Sequence, residues 1–144
     1  MSFQALVDAL QSVPYLATLG ITVEEARPGS AVLRLPASQG NRDHAAGLHT
    51  ATLFAVGEAA AGVAAGTVPK LAHTTRLQKA SGIKYLARAK GDVTAHADMP
   101  AEVIDGVLND LAERERTQCE VVVRIMDGYG TDVAEVVTIF TFRR

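Results

Sequence analysis

Charge is almost absent from one long stretch of this 144-residue chain. Between Asp43 and Lys70 the sequence HAAGLHTATLFAVGEAAAGVAAGTVP carries a single formal charge, the carboxylate of Glu58. A solvated helix face does not have that composition, so Glu58 either has a structural partner or does chemistry. The complementary absence follows at once. From Lys70 to Lys90 there is no acid, while Lys70, Arg76, Lys79, Lys84, Arg88 and Lys90 are basic. Most of these are expected on the outer face of a solvated strand, with one or two meeting an anionic ligand.

Cysteine is nearly missing too. Cys119 is the only one, which excludes an internal disulfide and a cysteine-based zinc cage and fits a reducing, cytoplasmic setting. It stands in the alternating run CEVVVRI, as a small core residue would. The N-terminus lacks the basic start and continuous apolar core of a signal peptide; Phe3, Leu6, Val7, Leu10 and Val13 recur instead at helical spacing. A membrane span from Thr50 to Pro69 is excluded by its Ala and Gly content and by Glu58, which would cost about 2.5–3.5 kcal/mol at a bilayer centre. A net charge of −2 argues for neither nucleic acid nor an anionic membrane as partner. No glycine-rich phosphate loop, metal-ligand run or Gly-x-Ser-x-Gly elbow occurs, so neither a metal nor a cofactor is expected.

What is present reads as one domain over residues 1–144. After the first helix and a connector marked by Pro14 and Gly20, ITVEEAR and SAVLRLP form two strands joined by the Arg27-Pro28-Gly29 turn. A polar loop, Ala37 to Ala46 and including His44, leads into a helix from about Leu48 to Gly66. Gly57 and Gly62 each cost such a helix about 1 kcal/mol, and close approach of a wrapping surface is the usual compensation. The chain is extended again over HTTRLQKASGIKYLARA and, after Lys90-Gly91-Asp92, over GDVTAHADM. A short helix, AEVIDGVLNDLAERER, then precedes two long strands, TQCEVVVRIMD and DVAEVVTIFTF. Antiparallel hairpins around one long buried helix predict an α+β fold, a curved antiparallel sheet wrapped round that helix. Its exposed edges predict at least a dimer, with a dimer of dimers as the larger option.

The chemistry then rests on Glu58, His49 and the helix N-terminus. Unpaired N–H groups around His49 and Thr50 carry partial positive charge and suit a carbonyl or oxyanion. Nine helical residues rotate a side chain by about 180° and advance it about 13 Å, so His49 and Glu58 form no dyad within one chain. A composite site, with the helix N-terminus from one chain and the carboxylate from the other, removes the difficulty.

The run Asp43-His44-Ala45-Ala46-Gly47-Leu48-His49-Thr50-Ala51-Thr52-Leu53-Phe54-Ala55-Val56-Gly57-Glu58 resembles the central-helix motif of hotdog-fold thioesterases of the PaaI type. In that motif Asn, Gly and His-Gly-Gly precede a Leu-Phe pair and a catalytic acid. The nine-residue interval from motif His to acid is that of His49 to Glu58. Ile83 to Val93 resembles the strand, turn and strand that follow the helix. The resemblance implies a hotdog fold and hydrolysis of an acyl thioester, usually of coenzyme A, in a site shared across a dimer. It implies Glu58 as general base or nucleophile, the Thr50 N–H polarising the carbonyl, and Gly47 giving the tight approach to the helix. Arg88 and Lys90 would meet nucleotide phosphates. Asp43 would be a helix-entry or turn residue or line the site, His49 would cap the helix or orient a loop at the substrate-binding site, and Phe54 and Tyr85 would be core or acyl-pocket walls. There are three departures from the motif: Asp43 for Asn, Thr50-Ala51 for Gly-Gly, and Glu58 for the more frequent Asp. An ionised Asp43 cannot donate to a carbonyl. The other function these residues allow is a non-catalytic hotdog module that binds an acyl chain or acyl-CoA, with Glu58 structural.

Overall fold

Side-chain alternation along the two last strands builds one wall of the molecule. In β5 (Arg116–Asp127) Val121, Val123, Ile125 and Asp127 are buried while Glu120, Val122 and Arg124 are exposed; in β6 (Asp132–Arg143) Val136, Thr138, Phe140 and Phe142 are buried. The computed structural model describes residues 2–43, 45 and 47–144; His44 lies outside them. Six strands pair antiparallel throughout, in the order β1-β2-β4-β5-β6-β3, with β1 Thr22–Arg27, β2 Ser30–Leu35, β3 Thr75–Tyr85 and β4 Val93–Asp98. Helix α3 (Thr50–Gly66) lies on the inner face, where Val56, Ala60 and Ala64 meet Leu33, Ala95, Val123 and Val136 in one core.

Gly57 allows that helix to approach. A Cβ there would stand 2.5 Å from Val136 Cγ2 and 3.0 Å from its Cβ, so only glycine lets the backbone come so near β6. Gly62, expected to serve the same purpose, would meet nothing within 4 Å. It lies on the half-exposed stripe of the helix with Phe54, Ala55, Glu58 and Ala59, turned away from the sheet.

Four expectations are corrected. The connector at Pro14 is a helix, α2 (Pro14–Leu19), with Pro14 in its first turn, where no N–H is needed. The expectation of successive hairpins holds for β1–β2 and β5–β6, but β3 and β4, consecutive in sequence, are not neighbours. β3 pairs only with β6 at one edge of the sheet, and the chain crosses to β4 between β2 and β5. The long helix starts at Thr50, not Leu48, and α4 (Ala101–Glu113) stops three residues before the extended β5 begins.

The two edges differ. α1 (Phe3–Gln11), capped by the Ser2 hydroxyl accepting from Ala5 N–H at 3.1 Å, packs on β1. β3 is eleven residues long and, among the described residues, nothing pairs with its outer edge. Among the described residues no helix is long and apolar enough to cross a membrane.

Candidate active site

The loop before α3 is organised by Asp43. Its Oδ1 accepts from Ala45 N–H (2.9 Å) and Gly47 N–H (3.1 Å), and Arg88 Nη2 reaches both carboxylate oxygens (3.0 and 3.1 Å). Burial alone would raise the Asp43 pKa; the N–H donors of Ala45 and Gly47, then Arg88, outweigh it and hold the carboxyl below its ordinary value. Asp43 is therefore an ionised acceptor that closes a loop. Gly47 serves the same contact: a Cβ there would lie 2.8 Å from Arg88 Cζ and 2.9 Å from Nε, so the guanidinium occupies the space a side chain would fill.

His49 caps the helix. Its Nδ1 accepts from Ala51 N–H at 3.0 Å, its own N–H donates to Asn41 O at 2.8 Å, and its carbonyl accepts from Thr52 N–H at 3.0 Å. Among the described residues this leaves one N–H of the first turn without an acceptor, that of Thr50. The open N–H suggested from sequence is thus narrowed to a single group.

Glu58 sits two turns further along. It is half-buried, and among the described residues it makes no side-chain hydrogen bond and no ion pair. A groove of about 420 Å³ joins it to the helix N-terminus, with Thr50, Ala51, Phe54 and Ala55 along the floor and Tyr15 and Tyr85 among its walls. Tyr85 is tied in place by its hydroxyl, which donates to Thr50 O at 3.3 Å. A second recess of about 340 Å³ shares Thr50 and Tyr85 and continues to Asp43 and Arg88. Thr50 and Glu58 are eight residues apart on one helix, about 12 Å along its axis.

The expected site residues therefore separate. Glu58 and Phe54 line one recess and Asp43 and Arg88 another, Thr50 and Tyr85 line both, and Gly47 stands against Arg88. Lys90 does not join them: its N–H donates to Asp127 Oδ2 at 3.2 Å, at the β5–β6 turn, and it lines neither recess. Tyr15 was missed because α2 was read as a connector; Pro14 followed by Tyr-Leu-Ala-Thr-Leu was the available helix-start signal.

The backbone as a whole can be set beside known structures. It superposes on Pseudomonas aeruginosa PA5026, a protein of unknown function and probable thioesterase, with a TM-score of 0.91 at 23% identity over 99% of this chain and 96% of that one. The thioesterase SAV0944 of Staphylococcus aureus matches at TM-score 0.73 and 16% identity, covering 92% and 100% of the two chains. A point mutant of the phenylacetic acid degradation protein PaaI of Thermus thermophilus matches at 0.69 and 20%, covering 91% and 99%. No curated protein matches the chain in sequence. The structural likenesses establish the hotdog fold. In sequence, residues 3–141 match one family over nearly the full length, and the chain belongs to that family, the domain of unknown function DUF4442.

Proposed function

We propose that this chain hydrolyses an acyl thioester, of coenzyme A, at a site completed by two-fold pairing of two chains. The observation that carries the reading is Glu58, a half-buried carboxylate without a partner among the described residues, in a groove also lined by Thr50, whose N–H has no acceptor among the described residues. A carboxylate to which no donor in the chain is directed has no structural role to account for it. About 12 Å separates the two groups in one chain, too far to act on one carbonyl.

The bare edge of β3 supports the second chain. Two copies related by a two-fold axis would pair β3 with β3 antiparallel, removing an eleven-residue exposed edge. In the resulting site the Thr50 N–H of one chain receives the thioester oxygen, and Glu58 of the other takes a proton from water as its oxygen attacks the carbonyl carbon. The C–S bond then breaks and the sulfur leaves protonated, giving acid and thiol. Phe54, Tyr85 and Tyr15 form the apolar wall of the acyl end. Arg88 spends only Nη2 on Asp43 and can turn Nη1 and Nε to a phosphate oxygen of the carrier.

The test uses free-thiol release from a panel of acyl-CoA thioesters. Glu58→Gln and Thr50→Pro are each expected to be inactive as homodimers; proline is tolerated in the first helical turn and removes the N–H, together with a hydroxyl that makes no hydrogen bond among the described residues. Mixing and re-forming dimers of the two variants should restore activity, to about a quarter of wild type for random pairing with one intact site per mixed dimer. No recovery on mixing would place both groups in one chain, and full activity of Glu58→Gln would remove the carboxylate from the chemistry.

A further inference from the structure

The sheet face turned away from α3 carries a recess that the Glu58 groove does not explain. Its volume is about 450 Å³, and Lys79, Arg116 and Arg143 line it with Leu77, Gln118 and Thr141. These residues come from three strands. In the register of β5, β6 and β3, Arg116 stands directly opposite Arg143, and Gln118, Thr141 and Leu77 form the next row on the same face. Lys79 falls in the register irregularity between Gln78 and Ala80, where a bulge frees its side chain from the regular ladder.

Like charges directly opposed on neighbouring strands destabilise a sheet. Here the chain offers no relief: among the described residues Lys79, Arg116 and Arg143 make no ion pair. Glu115, beside Arg116 in sequence, is taken by Arg144 at 2.9 Å, Asp110 accepts from Thr117 Oγ1 at 2.7 Å, and neither acid lines the recess. A larger recess of about 620 Å³ on the same face, beside α4, is built differently, with Glu25, Asp98 and Glu120 interspersed among Arg27 and Arg124. Only the smaller one is of a single sign.

We propose that Lys79, Arg116 and Arg143 form a binding site for a phosphate-bearing ligand. Two guanidinium forks and an ammonium match the oxygens of a phosphate or diphosphate, and Gln118 and Thr141 add neutral donors beside them. The volume of about 450 Å³ lies within the range of small-molecule sites, about 300–1,000 Å³, and leaves room for a ligand larger than a single phosphate ion. Leu77, 69% exposed, is the apolar wall for the rest of it. A multiply charged anion would also relieve the Arg116–Arg143 opposition. The site requires no thioester turnover and stands apart from the Glu58 reading.

The probes are pyrophosphate and adenosine 3′,5′-bisphosphate, titrated calorimetrically at matched ionic strength into wild type, Arg116→Gln, Arg143→Gln and Lys79→Gln. Wild type should bind both, with a rise in Tm on saturation, and the arginine variants should weaken binding by at least about tenfold. Without ligand, either arginine variant should melt no lower than wild type, because it loses a like-charge opposition; this separates lost binding from lost folding. Tighter binding of the bisphosphate than of pyrophosphate would identify a nucleotide tail as the source, and equal binding a free phosphate. Absence of binding to wild type, or undiminished binding to both arginine variants, would overturn the site.

Discussion

Asp43 and Glu58 are the two carboxylates that bound the uncharged first half of the central segment, and they live in opposite circumstances. Asp43 is satisfied by two backbone N–H groups and a guanidinium; Glu58 has no partner among the described residues and faces an open groove. The first is the acid of a structure, holding the loop that delivers Thr50. The second is, on the function proposed above, the acid of the site, without a partner where the reacting group would come. Which carboxylate builds the loop and which is left open follows from the donors that converge on it, not from its residue type.

The sharpest way to break this comparison is to neutralise each acid in turn. Glu58→Gln should lower thioester turnover by about 10²–10⁴-fold while leaving the melting temperature unchanged or higher. Asp43→Ala should do the reverse in stability, lowering Tm, because it strands Ala45 N–H, Gly47 N–H and Arg88. Asp43→Asn keeps an Oδ1 acceptor for the two N–H groups and loses only the charge facing Arg88, so its Tm should fall between. Equal effects of the two acids on stability and turnover would erase the distinction.

Two interior glycines of α3 sharpen it next. Gly57→Ala drives a methyl into Val136 and should destabilise by about 1–3 kcal/mol in chemical denaturation. Gly62→Ala meets open space and should stabilise by about 0.5–1 kcal/mol, unless a second chain covers that stripe closely.

Acidity gives a smaller, graded effect. Asp43, Asp92 and Asp127 all have pKa values held below the ordinary carboxylate value. For Asp92 the causes are Ala37 N–H (2.8 Å) and the Arg34 ion pair. For Asp127 burial acts the other way and is outweighed by Thr131, Lys90 and Tyr129 N–H. A folded pKa below the unfolded one contributes stability above the unfolded value and loses it as pH falls through the folded value. Melts should therefore show these groups' contribution intact near neutrality and declining from about pH 4 downward, and Asp127→Asn should flatten that limb. The least change is expected at Cys119, whose thiol burial pushes up to about 11. It should resist alkylation by iodoacetamide at pH 8 in the folded protein and react on unfolding.

Much of this was legible in the residues. Alternation in TQCEVVVRIMD named the buried face of β5, and the uncharged run with one Glu named both the central helix and its odd carboxylate. The helix cap was legible as one of two uses for His49. What failed did so for stated reasons: α2 is only six residues, too short for periodicity to register, and β3–β4 was read as local when β3 pairs with a strand some sixty residues later.

The basic stretch shows where sequence stops. Lys70 to Lys90 is one block of charge along the chain, but folding disperses it: Arg76 lies over the Phe140 ring at 5.4 Å, Arg88 against Asp43, Lys90 at the Asp127 turn. Lys79 instead joins Arg116 and Arg143, which nothing in the sequence connects to it. Composition and periodicity by themselves determined the long elements, the core faces and the lone acid, because burial of apolar surface is a local property of spacing. The tertiary structure alone decided which charges meet, because cross-strand register and helix approach set distances between residues far apart in the chain, and electrostatic roles depend on those distances.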